Sequence, residues 1–242
     1  MPQYILSEGT RSKLRHSSVA TISTLLFKRG LRNQVIQDVH PLSHRDRNMV
    51  GQAYTLRCIP AREDLNQLSV FQDPLHPQRH AIENAPEGCV LVIDSRKNPR
   101  AASAGSILVS RLMMRGAEGI VTDGGLRDSP DIASLNIGAY HNRPSAPTNL
   151  TLHQAVEIDV PIGCGDVAVW PGDIVVGDRE AVIIIPSQLA DEIAEEAKEM
   201  TLFEDFVAEK VLEGQSIIGL YPPSNANTVE SFKKWRACRR KL

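Results

Sequence analysis

Apolar residues recur at helical spacing in two segments near the N-terminus. Residues 7–16 have the pattern of a short capped helix, and residues 18–29 place Val19 and Ile22 on one face. Gly30 follows the second segment, and glycine is common just after the end of a helix. The pattern therefore predicts two short amphipathic helices that pack against the rest of the chain.

Strands and one helix are predicted in the middle of the chain. Residues 51–59 alternate between apolar and polar side chains, which is typical of a strand with one covered face. Residues 87–94 and 119–122 are apolar without alternation, which predicts strands covered on both faces. The helix predicted between them, residues 106–115, is expected to bury Ile107, Leu108, Leu112 and Met113. A strand, a helix and a strand at this spacing indicate a parallel crossover unit.

The second half of the chain is predicted to be mostly β structure followed by one long helix. The predicted strands are residues 155–162, 167–170, 174–176 and 181–185. A helix of ~25 residues begins at Pro186 and has an acidic face opposite one apolar stripe. The stripe comprises Leu189, Ile193, Ala197, Met200, Phe203, Val207 and Val211. Such a stripe on a terminal helix commonly packs on another copy of the chain, so we expect an oligomer.

Residues 60–86 interrupt the regular pattern. The segment is polar and proline-rich, and its charged and histidine side chains include Arg62, Glu63, Asp64, His76 and His80. Long irregular segments are often functional or contact a partner, although most are surface excursions. The pattern predicts an irregular surface segment and leaves both roles open.

The composition is that of an ordinary globular chain. Its 242 residues can bury a core without disulfides, and its formal net charge of −2 provides no global attraction for nucleic acid or anionic lipid. No stretch offers the roughly 18 apolar residues of a membrane span, and no signal-peptide pattern begins the chain. Four cysteines without metal-ligand spacing indicate reduced thiols. We predict one cytoplasmic domain over residues 1–242, with a core at about 18–215, a tail at 216–242, and neither a nucleic-acid nor a membrane partner.

The strongest candidate for chemistry is the stretch at residues 105–131. Gly105 opens the predicted helix, whose N-terminal amides and positive dipole end can hold a carboxylate or a phosphate. A Gly-Gly turn later places Arg127 beside Asp128. The guanidinium suits an anion or an enolate oxygen, and the carboxylate is a ligand of the kind Mg²⁺ takes. From spacing alone, a solvated turn pair is an equally good interpretation. The nearby carboxylates that could assist are Glu118, Asp123 and Asp131.

Two further patterns in the second half are interpreted as structural. Residues 163–168 match a relaxed dinucleotide-binding fingerprint, but a strand and a turn follow where that site requires a helix. Cys164 could act as a nucleophile with His141 or His153, yet no characteristic spacing supports this. We therefore predict that Cys164 is a small residue of a tight β turn.

Several ordered blocks of sequence carry a resemblance to a known family. They begin at Gly51, Pro86, Gly119 and Pro171, and the third is Gly-Ile-Val-Thr-Asp-Gly-Gly-Leu-Arg-Asp. Together they resemble the RraA-like family, which includes the class II 4-hydroxy-4-methyl-2-oxoglutarate aldolases and the regulators of ribonuclease E activity. The resemblance implies an α/β fold, an α/β/β/α sandwich that assembles as a trimer or a hexamer. The site would lie between subunits, with the long helix packed on a neighbouring subunit.

The resemblance also implies roles for individual residues. Asp128 would hold a divalent cation, Mg²⁺ or Mn²⁺, and Arg127 would face the ketone or enolate oxygen of the substrate. The backbone amides that cradle the substrate carboxylate would come from the stretch Gly105, Ser106, Ile107 and Leu108. A glutamate from an adjacent subunit's terminal helix would approach the metal-bound waters. That position falls on Glu204, with Glu199 as the alternative.

One catalytic position departs from the family pattern. The aspartate that precedes the amide cradle in the aldolases is Ser106 here. A serine hydroxyl can form hydrogen bonds but cannot take up a proton as a carboxylate does, so the acid and base role of this position is altered. The segment at residues 60–86 also exceeds the compact family core, so substrate choice is expected to differ.

The implied function is metal-dependent cleavage of a 2-oxo acid with release of pyruvate. The reaction would be retro-aldol cleavage of a 4-hydroxy-2-oxo acid of the 4-hydroxy-4-methyl-2-oxoglutarate type, decarboxylation of oxaloacetate, or both. Two alternatives stay open. One is a non-catalytic protein that binds and regulates an RNase or a helicase, which Ser106 favours. The other is a different metal-dependent reaction on sugar-derived 2-keto acids, which the segment at residues 60–86 favours.

Overall fold

The computed structural model describes residues 4–43, 45–224 and 226–239. The helices are α1 (Glu8–Leu14), α2 (Val19–Lys28), α3 (Pro77–Glu83), α4 (Ser106–Met114), α5 (Ser129–Ala133), α6 (Ala190–Leu212) and α7 (Ala226–Arg239). The strands are β1 (Val35–Ile36), β2 (His40–Pro41), β3 (Met49–Pro60), β4 (Cys89–Asp94), β5 (Ala102–Ala104), β6 (Gly119–Thr122), β7 (Gly125–Leu126), β8 (Gly138–His141), β9 (Arg143–Pro144), β10 (His153–Ile158), β11 (Ile162–Cys164), β12 (Val167–Val169), β13 (Ile174–Gly177) and β14 (Val182–Ile185). Short 3-10 helices lie at Leu68–Gln72, Asn149–Thr151 and Ser187–Leu189.

A curled nine-stranded sheet forms the centre of the fold. Its order is β1-β14-β13-β3-β4-β6-β8-β2, with β10 added to β3. Strands β3, β4, β6 and β8 are parallel, whereas β13, β14 and β1 continue the sheet in antiparallel pairing. The predicted crossover unit is confirmed, because β4 and β6 are parallel neighbours joined through α4.

Three hydrophobic cores divide the molecule into layers. One core packs α1, α2 and α6 on the outer face of β13 and β14, and another packs α3, α4 and α5 on β3, β4 and β6. The third lies between the two halves of the sheet and includes the β11–β12 hairpin. Alternation along β13 shows the division, since Ile174 and Val176 face the helices while Val175 faces inward. The predicted α/β/β/α sandwich is confirmed.

Both predicted N-terminal helices are present, and each has a serine cap. The Thr10 N–H donates to Ser7 Oγ at 3.1 Å, and the Thr21 N–H donates to Ser18 Oγ at 3.0 Å. Each bond satisfies a backbone donor that the first turn of a helix leaves unpaired, a contribution of about 1 kcal/mol. These caps fix where α1 and α2 begin.

The predicted strand at residues 155–162 is wrong in its extent. The chain forms β10 and β11 instead, with Asp159 between them in the left-handed backbone region at φ 58°. A residue in that region turns the chain out of an extended path, so one strand cannot run through it. The strands predicted at residues 167–170, 174–176 and 181–185 correspond to β12, β13 and β14.

The segment at residues 60–86 is irregular only in part, which corrects the expectation from sequence. It contains the 3-10 helix Leu68–Gln72 and the helix α3. Pro77 stands in the first turn of α3, where proline loses no hydrogen bond. Ala81 and Ile82 are buried in the core beneath α4. Polar neighbours obscure this short apolar stripe in the sequence.

The apolar stripe of α6 is covered within its own chain. Every stripe residue except the exposed Val211 packs in one of two cores, against α1 and α2 or against α7. The acidic face also has partners, since Arg29 contacts Glu192 at 2.5 Å and Glu196 at 2.6 Å. The stripe by itself therefore no longer argues for an oligomer, and packing of α6 on a neighbouring subunit stays a prediction.

The segment treated as a tail from the sequence contains α7, which packs on α6. An aromatic cluster joins the two helices and comprises Phe203, Phe206, Phe232 and Trp235, with Val207 and Leu220 beside it. The indole N–H of Trp235 donates to Glu209 Oε2 at 3.0 Å. Residues 225 and 240–242 of this segment lie outside the described part of the chain. None of the helices described is long and apolar enough to cross a membrane.

Candidate active site

A cavity of about 170 Å³ lies where the first turn of α4 meets the turn between β7 and α5. Four segments that are distant in sequence line it. The lining residues are Phe71, Gln78, Arg79, Ala102, Ala104, Gly105, Ile107, Leu108, Arg127, Asp128, Thr148 and Asn149. The structure thus brings the predicted stretch at residues 105–131 together with two segments that the sequence did not assign to a site.

A small parallel ladder aligns the two halves of the predicted stretch. Strands β5 and β7 are parallel, with Ala104 opposite Leu126, and the Arg127 N–H donates to the Ala104 carbonyl at 3.1 Å. Gly105 follows β5 and Arg127 follows β7, so both lie at the same carboxyl edge. Ligands commonly bind at such an edge in parallel sheets. This ladder was not predicted, because strands of two or three residues carry too little periodicity.

Asp128 stands directly in front of the N-terminus of α4. Its Oδ2 accepts hydrogen bonds from the Ser106 N–H at 3.2 Å and the Ser106 hydroxyl at 3.3 Å. Arg127 Nε lies 3.6 Å from the same oxygen, and the two side chains are 44% and 37% exposed. The pair is therefore accessible from solvent and adjacent to the positive end of the helix dipole.

Gly105 permits this arrangement because no side chain fits at its position. A Cβ atom built on Gly105 would lie 2.8 Å from Asp128 Oδ2 and 2.9 Å from Arg127 Cγ. Both distances are shorter than van der Waals contact, so a larger residue would displace the pair. The glycine is thus required by close approach, rather than by an unusual backbone angle.

The first turn of α4 offers unpaired donors to the cavity. Among the described residues, no acceptor contacts the backbone N–H of Ile107 or Leu108, and both residues line the cavity. The expected burial of Ile107 is wrong, since this side chain is 81% exposed, and Leu108 is only partly buried. Val109 and Leu112 supply the buried contacts of α4 instead. The first turn faces the cavity, so its amides can receive a carboxylate.

The carboxylate of Asp128 sets what kind of metal could bind. Within the described ranges, no group of three or more His, Cys, Asp or Glu side chains could hold a metal ion. Asp128 offers one accessible carboxylate, with the Ser106 hydroxyl beside it. Mg²⁺ is commonly held by one or two carboxylates, with waters and substrate oxygens in the other positions. The donor set fits a largely hydrated Mg²⁺ or Mn²⁺ and does not fit a closed structural metal site.

Glu204 and Glu199 do not line this cavity in their own chain. Glu204 accepts hydrogen bonds from the Thr21 hydroxyl at 2.6 Å and the Tyr221 hydroxyl at 2.9 Å. Glu199 forms an ion pair with Arg236 at 2.6 Å. Both stand on α6, so a role for either in an adjacent subunit's site stays a prediction.

Two of the nearby carboxylates serve the fold. Asp123 is buried and accepts backbone N–H groups from Ser95, Lys97 and Gly165, which ties three loops together. Burial raises the pKa of Asp123. Glu118 contacts Arg15 at 2.6 Å. Neither of them lines the cavity, and Asp128 is the single carboxylate among its lining residues.

Cys164 is a structural thiol in the β11–β12 hairpin, as predicted. It is fully buried, its Sγ lies 3.7 Å from the Ile93 carbonyl oxygen, and burial raises its thiol pKa well above the ordinary value. A buried protonated thiol is not a nucleophile. The hairpin also confirms the rejection of the dinucleotide fingerprint, because strand β12 follows Gly165 and Asp166 where a helix would be needed.

The residues that sequence reasoning missed come from the segment at residues 60–86 and from the 3-10 helix before β10. They are Phe71, Gln78, Arg79, Thr148 and Asn149. The weak apolar stripe of α3 was the available signal for Gln78 and Arg79. Even that signal identifies a helix and not the cavity beside it, because α3 is distant in sequence from Arg127 and Asp128, which line the same cavity.

Comparison with known proteins places the fold in a family. A family model described as RraA-like, Aldolase/RraA, matches residues 19–184, more than half of the chain. A Halalkalibacterium halodurans protein provisionally named 4-hydroxy-4-methyl-2-oxoglutarate aldolase is 29% identical over 169 residues, which are 70% of this chain and 73% of that protein. A Pseudomonas syringae pv. tomato protein with the same provisional name is 31% identical over 160 residues, 64% of this chain and 90% of its own length.

A solved structure agrees with this assignment. Streptomyces coelicolor RraAS2, described as an unusual member of the RNase ES inhibitor RraA protein family, matches with a TM-score of 0.73 and 26% identity. The match covers 85% of this chain and 98% of that chain. The matched region contains the ladder of β5 and β7, the first turn of α4 and the Arg127–Asp128 pair. On the family model and the shared fold together, the chain belongs to the RraA-like family.

Proposed function

We propose that this protein is a divalent-metal-dependent lyase that cleaves a 2-oxo acid and releases pyruvate. The observation that supports it is the meeting of three groups in one cavity: the Arg127 guanidinium, the Asp128 carboxylate and the unpaired amides of Ile107 and Leu108. A cation, a metal ligand and an anion cradle are the groups that a 2-oxo acid requires. The aldolase names of two relatives support the same reaction class.

Each group has a separate task in this proposal. The amides of Ile107 and Leu108 bind the carboxylate next to the ketone, and Arg127 faces the ketone oxygen. A divalent cation held by Asp128 supplies Lewis-acid polarisation of the 2-oxo group. The ladder of β5 and β7 fixes the backbone at Arg127, which keeps its positive charge beside the cavity where negative charge develops.

The bond that breaks lies between C3 and C4 of the substrate. In retro-aldol cleavage the 4-hydroxyl loses its proton and becomes a carbonyl, and the bonding electron pair enters the pyruvate enolate. In oxaloacetate decarboxylation the same bond breaks and C4 leaves as CO₂. Arg127 stabilises the enolate oxygen in both cases, and protonation at C3 completes pyruvate.

Among the residues that line the cavity, no carboxylate is free to transfer a proton once Asp128 holds a metal. Ser106 cannot act as the carboxylate does in the aldolases, and Asp128 would be occupied by the metal. The proposal therefore assigns proton transfer, through water, to Glu204 of an adjacent subunit in a trimer or a hexamer. The cytoplasm is the proposed location, since the cysteines are free thiols.

The chemistry can be tested by pyruvate release. Purified protein is given 4-hydroxy-4-methyl-2-oxoglutarate or oxaloacetate with Mg²⁺ or Mn²⁺, with and without a chelator. We expect chelator-sensitive pyruvate from at least one substrate, and a loss of roughly 10²-fold or more in Arg127→Ala and Asp128→Asn. Arg62→Ala is the matched control, because Arg62 is exposed and pairs with Asp64 outside the cavity. Absence of chelator-sensitive pyruvate from both substrates would refute the proposal.

A protein-binding regulator is the second candidate. Ser106 favours it, as does the likeness to RraAS2, whose description places it among RNase ES inhibitors. A pulldown with RNase E or an RNA helicase tests this function. Binding that persists in Arg127→Ala, in a protein without chelator-sensitive activity, would support the regulator and exclude the lyase. A panel of sugar-derived 2-keto acids tests the third candidate, which the segment at residues 60–86 favours.

A further inference from the structure

The segment at residues 60–86 supplies a second polar region to the cavity. Phe71, Gln78 and Arg79 line it together with Arg127 and Asp128. The tasks proposed above use the first turn of α4 and the Arg127–Asp128 pair, so the polar groups of α3 are left without a role. Their chemistry indicates what the far end of the ligand carries.

Arg79 is a partly buried cation whose hydrogen bonds are unmade. Its guanidinium lies over the Phe71 ring, 4.5 Å from the centroid, and the His76 ring meets the same Phe71 ring edge-on at a centroid distance of 5.1 Å. Stacking on an aromatic face fixes the plane of a guanidinium and leaves its donors at the edge. Among the described residues, no carboxylate and no other acceptor contacts Arg79, and its Nε is buried without a partner.

Other arginines of the same region differ from Arg79. Arg62 pairs with Asp64 at 2.7 Å, and Arg111 pairs with Glu83 at 2.7 Å, each on the exposed surface. Arg79 is placed toward the cavity, where the single lining carboxylate is Asp128. With Arg127 also present, the lining side chains carry an excess of positive charge even before a metal binds. An anionic group from a ligand would balance this charge.

Gln78 adds a hydrogen-bond acceptor beside Arg79. Its side chain is 4% exposed, and its Nε2 donates to the Ser103 carbonyl at 2.6 Å. Because a carbonyl can only accept, this bond fixes the orientation of the amide, and Oε1 must be an acceptor. Oε1 has no donor among the described residues. A buried acceptor without a donor is costly, so Gln78 is a second polar side chain of α3 whose hydrogen bonding is incomplete.

We propose that Arg79 binds the distal carboxylate of a dicarboxylic 2-oxo acid. The region defined by α3 thereby selects dicarboxylic over monocarboxylic 2-oxo acids. This inference rests on the proposed function, since it takes the amides of α4 as the site of the first carboxylate. The specificity is contributed by the segment at residues 60–86.

Ligand binding tests the inference separately from catalysis. Calorimetry with Mg²⁺ compares 2-oxoglutarate, which has the distal carboxylate, with pyruvate, which lacks it. Arg79→Ala is expected to weaken the binding of 2-oxoglutarate by at least ~10-fold, as for loss of a charge-assisted hydrogen bond. The affinity for pyruvate should stay within about twofold of wild type. Arg79→Lys should recover part of the affinity, because it keeps the charge but loses the planar fork. Arg62→Ala is the control and should change neither ligand.

Kinetics give a second readout. For cleavage of 4-hydroxy-4-methyl-2-oxoglutarate, Arg79→Ala should raise KM by at least ~10-fold and change kcat much less, since Arg79 binds away from the breaking bond. The inference would be overturned if Arg79→Ala weakened the binding of 2-oxoglutarate and pyruvate equally. It would also be overturned if a folded Arg79→Ala variant bound both ligands as tightly as wild type. The wild-type protein could prefer 2-oxoglutarate to pyruvate, and lose this preference in Arg79→Ala, yet release no pyruvate from either proposed substrate. In that case the lyase proposal fails while the assignment of Arg79 stands.

Discussion

The carboxylate of Asp128 is held by a backbone conformation that few side chains adopt. Its φ of 56° and ψ of 38° lie in the left-handed region, where aspartate is tolerated much better than branched residues. That conformation turns the chain from β7 into α5 and points the carboxylate at Ser106. Strained positions of this kind cluster at functional sites. The residue type thus suits both the turn and the metal-binding role proposed for Asp128.

Buried histidines at other positions make stability depend on pH. Burial lowers the pKa of His141 from 6.5 to about 4, and the nearby His40 adds to the effect. The unfolded chain takes up a proton near pH 6.5 that the folded protein refuses until about pH 4. The free energy of unfolding therefore falls as the pH decreases through this window, by up to about 1.4 kcal/mol per pH unit.

Replacement of His141 isolates this contribution. In His141→Gln, the free energy of unfolding in urea should depend less steeply on pH than in wild type between about pH 7 and about pH 5. The difference in slope should correspond to at most one proton bound on unfolding. The variant's stability at neutral pH is a separate matter, because the new side chain is also buried. His16→Gln, at an exposed position, is the control and should keep the wild-type slope. An unchanged slope in His141→Gln would contradict the prediction.

At the scale of elements, the contact between α6 and α7 depends on one aromatic cluster. Phe206 is 1% exposed, with the rings of Phe232 and Trp235 at 5.6 Å and 5.7 Å. Phe206→Ala should lower the free energy of unfolding by about 3–5 kcal/mol, since it leaves a cavity among rigid rings. Urea denaturation measures the change, and faster amide exchange in α7 should accompany it. Leu212→Ala, at an exposed site on the same helix, should have almost no effect. A similar small effect at Phe206 would show that α7 does not dock through this cluster.

At the scale of the whole molecule, one chain does not supply every group that the proposed reaction needs. The cavity has one lining carboxylate, and Glu204 is bonded to Thr21 and Tyr221 on another face of the chain. If adjacent subunits share a site, Glu204→Gln and Arg127→Ala should each be inactive alone. Mixed assemblies of the two should recover activity, because some sites then combine an intact Arg127 with an intact Glu204.

The mixing experiment has a clear control. Asp205→Asn changes an exposed neighbour on α6 and should remain active when assembled alone. Native mass spectrometry counts the subunits and establishes that mixed assemblies form. Mixed assemblies that stay as inactive as their parents would exclude a shared site. Full activity of Glu204→Gln alone would remove Glu204 from the mechanism.

Local pattern was enough to predict the longer elements of the core and to put Arg127 and Asp128 forward as a candidate pair, although spacing alone left a solvated turn pair as an equally good interpretation. Helices α1 and α2 follow from apolar spacing and serine caps, and β4, α4 and β6 follow from continuous and periodic apolar runs. The Arg127–Asp128 pair could be singled out because its partner, the start of α4, lies only a crossover unit away in sequence. For the helices and strands the determining interactions are short-range or repeat with a regular period, whereas the contact between Ser106 and Asp128 spans 22 residues.

Only the tertiary structure decided which surfaces these elements meet. An apolar stripe identifies the face of α6 that must be covered, but not that α1, α2 and α7 of the same chain cover it. Likewise, the sequence of residues 60–86 does not show that Arg79 reaches the cavity of Asp128, because that contact depends on how α3 packs beneath α4. Hydrophobic burial is not directional, so its partners are chosen by the packing of the whole chain.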